Sequence, residues 1–157
     1  MSTGIGWDTH RLVEGRPLIL GGIRLEHDRG LDGHSDADVL THAVIDAMLG
    51  AAGLGDIGEH YPDTDPRYAA IDSMHLLAST VTLLAEASLR VAHVDTTVLM
   101  ERPKLSPVRD AIRESLAAAL ELGLPHVNVK ATRGEGMGFV GRAEGVAALA
   151  VVTVEPL

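Results

Sequence analysis

Apolar residues recur at three- and four-residue steps in some stretches of the chain and alternate or run together in others, which predicts a mixture of helices and strands. Val39, Leu40, Ala43, Val44, Ala47, Met48 and Ala51 share one helical stripe. Ser35 then reads as an N-cap and Asp38 as the acid of a capping box, so this helix should begin at about Asp36. Met74, Leu77, Val81 and Leu84 mark a second amphipathic helix within Asp72–Leu89, with its stripe in the core and His75 at the surface. Ser106 and Pro107 offer an N-cap and an N1 proline for a third, closing near Gly123.

Gly4–His10 reads as a short strand whose glycines allow another backbone or a ligand to approach closely. Leu18–Leu20 and Ile23–Leu25 should form a hairpin closed by Gly21 and Gly22, and Val91–Leu99 and Val127–Thr132 should be strands. Gly145–Glu155 is almost continuously apolar, as expected of a strand covered on both faces by core or by another subunit. Gly50–Gly58, with four glycines, and Tyr61–Pro66, dense in turn formers, read as loop.

With 157 residues, 46% of them hydrophobic, and no internal repeat or linker, the expectation is one domain over residues 1–157. No basic-then-apolar leader is evident, and the apolar run Val146–Val154 is far shorter than the roughly 20 residues a bilayer requires, so a soluble, unprocessed protein is expected. The net charge of -9, with Lys104 and Lys130 as the only lysines, argues against a nucleic-acid surface. A small phosphorylated ligand remains compatible with that charge if metal ions, local cations and backbone N–H groups hold it. The absence of cysteine fits a cytoplasmic location and leaves any metal to His, Asp and Glu.

Asp8 and His10, two apart on a strand, project to one side and can present an oxygen and an imidazole nitrogen to one point; the alternative is a polar strand end. Asp38, His42 and Asp46 stand at i, i+4, i+8 on the first helix, away from its apolar stripe, either as a placed histidine between two acids or as a solvated face. Arg133–Arg142 holds four glycines and one acid, Glu135, between two arginines, which suits a phosphate-and-metal loop or a flexible surface loop.

Six blocks, taken together and in order, carry a resemblance: Gly6–Leu12, His34–Val39, Gly55–Gly58, Pro62–Pro66, Pro103–Leu105 and Gly138–Gly145. They resemble the 2-C-methyl-D-erythritol 2,4-cyclodiphosphate synthase family of the non-mevalonate isoprenoid pathway, over essentially the whole chain. The resemblance implies an α+β domain, a mixed sheet with helices on one side, assembled as a homotrimer around a central cavity with active sites between subunits. It implies zinc, or a similar divalent cation, on Asp8, His10 and His42, the residues the spacing also singles out. Two histidines and a carboxylate leave one tetrahedral position open, as in catalytic zinc sites. Asp46, one turn from His42, is the expected acceptor orienting that imidazole.

The implied reaction cyclises 4-diphosphocytidyl-2-C-methyl-D-erythritol 2-phosphate to 2-C-methyl-D-erythritol 2,4-cyclodiphosphate and releases CMP, a phosphorus-oxygen lyase step. Both reacting groups are anionic, so positioning and charge neutralisation should dominate. Magnesium or manganese would bridge the diphosphate with Glu135 as its protein ligand. Asp56, Ile57 and Gly58 would take the ribose; Met100, Lys104, Leu105, Ser106, Ala131 and Thr132 the cytosine and its phosphate; His34, Ser35, Asp63 and Asp65 the methylerythritol phosphate. Phe139 and Arg142 would line the cavity between subunits, which binds isoprenoid diphosphates in some members. Arg133 stands where the family usually has a threonine near the transferring phosphate, and Val108 where a histidine is common. Two other readings stay open: a trimeric protein that binds nucleotide or isoprenoid diphosphate with turnover weakened through Arg133, and a metal-dependent phosphohydrolase in which water takes the open metal position.

Overall fold

A computed structural model describes residues 1–157. Strand β1 (Ser2–Glu14) leads to the hairpin β2 (Leu18–Leu20) and β3 (Ile23–Leu25) and to β4 (Arg29–Leu31). Helices α1 (Val39–Ala52), α2 (Ile57–His60) and α3 (Ser73–Glu86) follow, then β5 (Leu89–Leu99), α4 (Arg109–Ala119), β6 (Val127–Thr132), α5 (Gly138–Gly141) and β7 (Gly145–Pro156). The five-stranded sheet has the order β4-β1-β7-β5-β6, and only β5 and β6 pair in parallel. This is the expected mixed α+β sheet; β1 is longer than its sequence suggests because it pairs with β7 along Ser2–Arg11 and with β4 along Leu12–Glu14.

Helix α1 lies directly on β1 and β7. Gly4 and Gly6 make this possible: a Cβ on Gly6 would stand 1.9 Å from the Ala43 carbonyl oxygen, and one on Gly4 2.2 Å from that of Ala47. The glycines therefore serve a helix backbone and not a ligand. The apolar stripe of α1, with Leu77 and Leu84 of α3, Ile112 and Leu116 of α4 and Val94, Val98 and Val152 of the sheet, forms one continuous core. The opposite sheet face carries no helix, and there Ile5, Trp7 and Val151 are 68%, 49% and 41% exposed.

Two helix starts differ from the sequence reading. Helix α1 begins at Val39, not near Asp36, because Ala37 takes a φ of 58° that no helix tolerates. Asp38 is the N-cap itself, accepting the Thr41 N–H, and its fully buried carboxylate also accepts the N–H groups of Gly21 and Gly22, anchoring the β2–β3 turn. Helix α4 starts at Arg109, with Val108 at the N-cap position and no side-chain cap, so Ser106 and Pro107 lie in the preceding turn. The glycine-rich stretch after Gly50 is partly helical: α1 runs to Ala52, Gly53 closes it in the left-handed conformation, and Asp56 caps α2.

Candidate metal centre and nucleotide pocket

Alternation along β1 turns Asp8 and His10 towards the helix-covered face, and the close seat of α1 on Gly6 brings His42 down beside them. Asp8 Oδ2 lies 2.9 Å from His10 Nε2 and 3.0 Å from His42 Nδ1, and the two imidazole nitrogens are 3.2 Å apart. The three ligand atoms fall within 4.8 Å of one another, and no other trio of His, Asp or Glu does so. One oxygen and two imidazole nitrogens suit zinc or another borderline divalent cation, so the donor chemistry fits a metal. Burial pushes the Asp8 carboxyl up, but hydrogen bonds from His10 and His42 outweigh it and bring the pKa from 3.8 to about 2. For His10, burial lowers the pKa, and the hydrogen bond to Asp8 more than reverses this and raises it above 6.5.

Asp46 does not orient His42. Its Oδ1 accepts the Ile57 N–H at 3.1 Å and so ties α1 to α2. Spacing placed Asp46 one turn from His42, but the free N–H at the start of α2 claims the carboxylate instead. The Nε2 of His42 meets two hydroxyls, Ser73 Oγ at 2.8 Å and Ser35 Oγ at 3.1 Å. Ser73 was not legible as a functional residue, since it reads locally as the first residue after the Asp72 cap of α3. His10 Nδ1 donates to the Asp32 carbonyl at 2.7 Å, a backbone partner that leaves no mark in sequence.

The predicted phosphate-facing residues gather beside this centre. His34 Nε2 donates to the Asp65 carbonyl at 2.8 Å, Ala70 N–H to the His34 carbonyl, and Asp36 N–H to that of Ile71, which join the loop before α1 to the one before α3. Ser35 is buried, while His34 and Asp63 are exposed. The Asp65 carboxylate is engaged by Arg67 through its N–H and guanidinium. Asp56 and Gly58 are exposed and Ile57 is half-buried at the start of α2.

A separate open pocket of about 830 Å³ collects Met100, Lys104, Leu105, Ser106, Ala131, Thr132 and Arg133, as the resemblance implies. Its wall also includes Glu101 and Arg102, inside the expected stretch Met100–Ser106, and His27 and Arg109, which had no sequence signal. Glu101 accepts the Gly134 N–H at 2.9 Å and locks the loop after β5 to the turn after β6. Four cations against one acid make this pocket locally basic in a chain of net charge -9. Lys130 stays outside it, bound to Asp95. Arg133 and Glu135 are exposed, with Nη2 to Oε1 at 3.7 Å, and Glu135 belongs to no trio of His, Asp or Glu ligand atoms. Phe139 lines a shallow depression with Trp7, His10 and Arg11, and Arg142 reaches Glu144 at 3.5 Å. Asp8, Ala148, Val98 and Ala131 lie on one row across four strands, so metal centre and pocket are about 14 Å apart, three strand spacings, within one chain.

The model of the YgbB family matches residues 1–155. The chain belongs to the YgbB family. The 2-C-methyl-D-erythritol 2,4-cyclodiphosphate synthase of Salinibacter ruber is 57% identical over 155 residues, 99% of each chain. That of Syntrophobacter fumaroxidans is 55% identical over 152 residues, covering 97% of this chain and 96% of its own. Among solved structures, the bifunctional IspDF of Campylobacter jejuni superposes with a TM-score of 0.95 at 43% identity, covering 99% of this chain and 42% of that longer one. A 2C-methyl-D-erythritol-2,4-cyclodiphosphate synthase in its CDP-bound form superposes with a TM-score of 0.90 at 37% identity, covering 98% of this chain and 99% of its own. No helix here is long and apolar enough to cross a membrane.

Proposed function

We propose that this chain is a phosphorus-oxygen lyase that converts 4-diphosphocytidyl-2-C-methyl-D-erythritol 2-phosphate to 2-C-methyl-D-erythritol 2,4-cyclodiphosphate and CMP, in the cytoplasm. The observation that carries the reading is the convergence of Asp8, His10 and His42 in a chain aligned end to end with synthases of that name. A 2-phosphate oxygen attacks the β-phosphorus, the bond from that phosphorus to the oxygen shared with the α-phosphorus breaks, and its electron pair leaves on CMP. The nucleophile is already ionised, so no general base is required, and the protein's task is alignment and charge neutralisation.

Zinc held by Asp8, His10 and His42, and magnesium or manganese held by Glu135, would supply positive charge against the phosphate oxygens when bound. Met100, Leu105, Ala131 and Thr132 enclose the cytosine, while Lys104 and Ser106 meet its phosphate. Asp56, Ile57 and Gly58 hold the ribose. His34, Ser35, Asp63 and Asp65 close over the methylerythritol phosphate, and Arg133 sits at the pocket rim, where it reaches the diphosphate only from outside.

The chain acts as a homotrimer through its helix-free sheet face, with the nucleotide pocket of one copy facing the metal centre of the next. The exposed Ile5, Trp7 and Val151 support the contact, and the separation of pocket and metal centre within one chain supports a shared site. Phe139 and Arg142 then border the cavity between copies. Incubation of the purified protein with the cytidyl substrate, zinc and magnesium, followed by mass analysis, tests the reaction. Cyclic diphosphate and CMP are expected; CMP with a linear bisphosphate would show hydrolysis instead, and unchanged substrate with measurable CDP binding would show a binding protein.

A further inference from the structure

Two carboxylates bear on His42 and can only accept hydrogen bonds: Asp8, 3.0 Å from its Nδ1, and Asp36, which reaches its Nε2 through Ser73. We propose that Asp36 and Ser73 form a positioning couple that keeps a proton on His42 Nε2, so that Nδ1 is the nitrogen left for a cation between Asp8 and His10, and that this couple sets how tightly the cation there is held. The inference rests on the reading of Asp8, His10 and His42 as a metal centre.

An ionised carboxylate has no donor. Asp36 Oδ1 therefore accepts from the Ser73 hydroxyl and, at 3.1 Å, from the Asp38 N–H, while Oδ2 accepts the Ser73 N–H at 3.1 Å. The single hydroxyl proton of Ser73 is spent on Asp36. Its oxygen can then face His42 only as an acceptor, and at 2.8 Å from Nε2 it requires that nitrogen to donate. With Nε2 held in this way, Nδ1 is the nitrogen that can exchange its hydrogen bond to Asp8 Oδ2, at 3.0 Å, for a cation, and it stands 3.2 Å from His10 Nε2. His10 obeys the same logic: the Asp32 carbonyl takes its Nδ1 proton, so Nε2, 2.9 Å from Asp8 Oδ2, is the nitrogen left for a cation. Both rings thus turn to one point the nitrogen that a cation can claim.

Ser35 cannot set the direction. Its oxygen accepts the Ala37 N–H at 3.2 Å but its own proton has no fixed acceptor, so it adapts to either tautomer. Ser73 is fully buried and His42 is 9% exposed, so water does not replace a lost Ser73 hydroxyl. A partner that orients a metal-bound histidine is worth about 10- to 100-fold in metal affinity.

The test labels histidine with ¹⁵N and reads long-range ¹H–¹⁵N correlations of His42 in the intact protein near pH 8, alongside the zinc Kd from chelator competition. Wild type is expected to show the proton on Nε2. Ser73→Ala is expected to populate the Nδ1-protonated form and weaken zinc by about 10- to 100-fold. Asp36→Asn, an isostere able to donate to Ser73, should shift both in the same direction, while Ser73→Thr, which keeps the hydroxyl, should retain the wild-type tautomer. A bare Nε2 in metal-free wild type overturns the proposal whatever the variants do, and so does an unchanged zinc Kd in folded Ser73→Ala. If Ser73→Ala does not fold, the wild-type spectrum and Asp36→Asn decide. A wild type that takes up no zinc overturns the metal reading as well, whereas zinc binding that ignores Ser73 and Asp36 overturns this inference alone.

Discussion

Asp8 sits between two imidazoles, and its lowered pKa and the raised pKa of His10 make stability of the metal-free protein depend on pH at both ends. The depressed Asp8 contributes stability that is present above 3.8 and lost as pH falls through about 2. His10, raised above 6.5, contributes stability that is complete below 6.5 and lost as pH climbs through its folded value. Urea midpoints of metal-free protein should therefore peak between these limits, and Asp8→Asn should flatten both limbs. Protons compete for the same nitrogens, so zinc affinity should fall roughly tenfold per pH unit once His10 is protonated in the free site, measurable by chelator competition. His42→Ala should retain the far-ultraviolet circular dichroism of the parent yet lose zinc and more than about 100-fold of turnover, beyond the cost of an orienting partner. Arg133, exposed at the pocket rim, should matter less: Arg133→Thr should change turnover by under about tenfold, or about 1.4 kcal/mol. The ligand trio was legible because strand alternation and helical spacing constrain direction. The partners of that trio were not, because the N–H of Ile57 and the hydroxyl of Ser73 arrive from other segments.

At the scale of elements, the seat of α1 on Gly6 decides the geometry of the metal centre, since Gly6 is two residues from Asp8 and its contact, Ala43, is next to His42. Gly6→Ala would drive a methyl into a backbone carbonyl that cannot yield without shifting the helix. The expected cost is about 3 kcal/mol by urea denaturation, at the upper end of overpacking, with weaker zinc binding in the fraction that folds. The order and type of the longer elements followed from apolar periodicity, as did the Gly21-Gly22 turn and the strand Val127–Thr132, whereas β4, α2 and α5 did not. Helix starts did not, because Ser35-x-x-Asp38 is a valid capping pattern that the left-handed Ala37 overrides, and such a conformation at an alanine has no sequence mark.

Across the whole molecule, a basic pocket sits in an acidic remainder: under the proposed function the local cations hold phosphate, while net charge opposes self-association into aggregates. The proposed assembly predicts sedimentation at about three times the 16.5 kDa chain mass. Trp7→Glu should give a monomer that still binds zinc but turns over no substrate, because pocket and metal centre come from different copies. The pairing of β1 with β7 has a consequence for synthesis of the chain. Ser2 pairs with Val154, so the strand carrying Asp8 and His10 has only the three-residue partner β4 until the last element leaves the ribosome. Its neighbour in the sheet is separated from it by nearly the full chain, and closing such a loop is slow compared with forming α1 or α3. The metal centre is therefore completed late, and a nascent chain stalled before Gly145 should present β1 with an unpaired edge to chaperones and proteases.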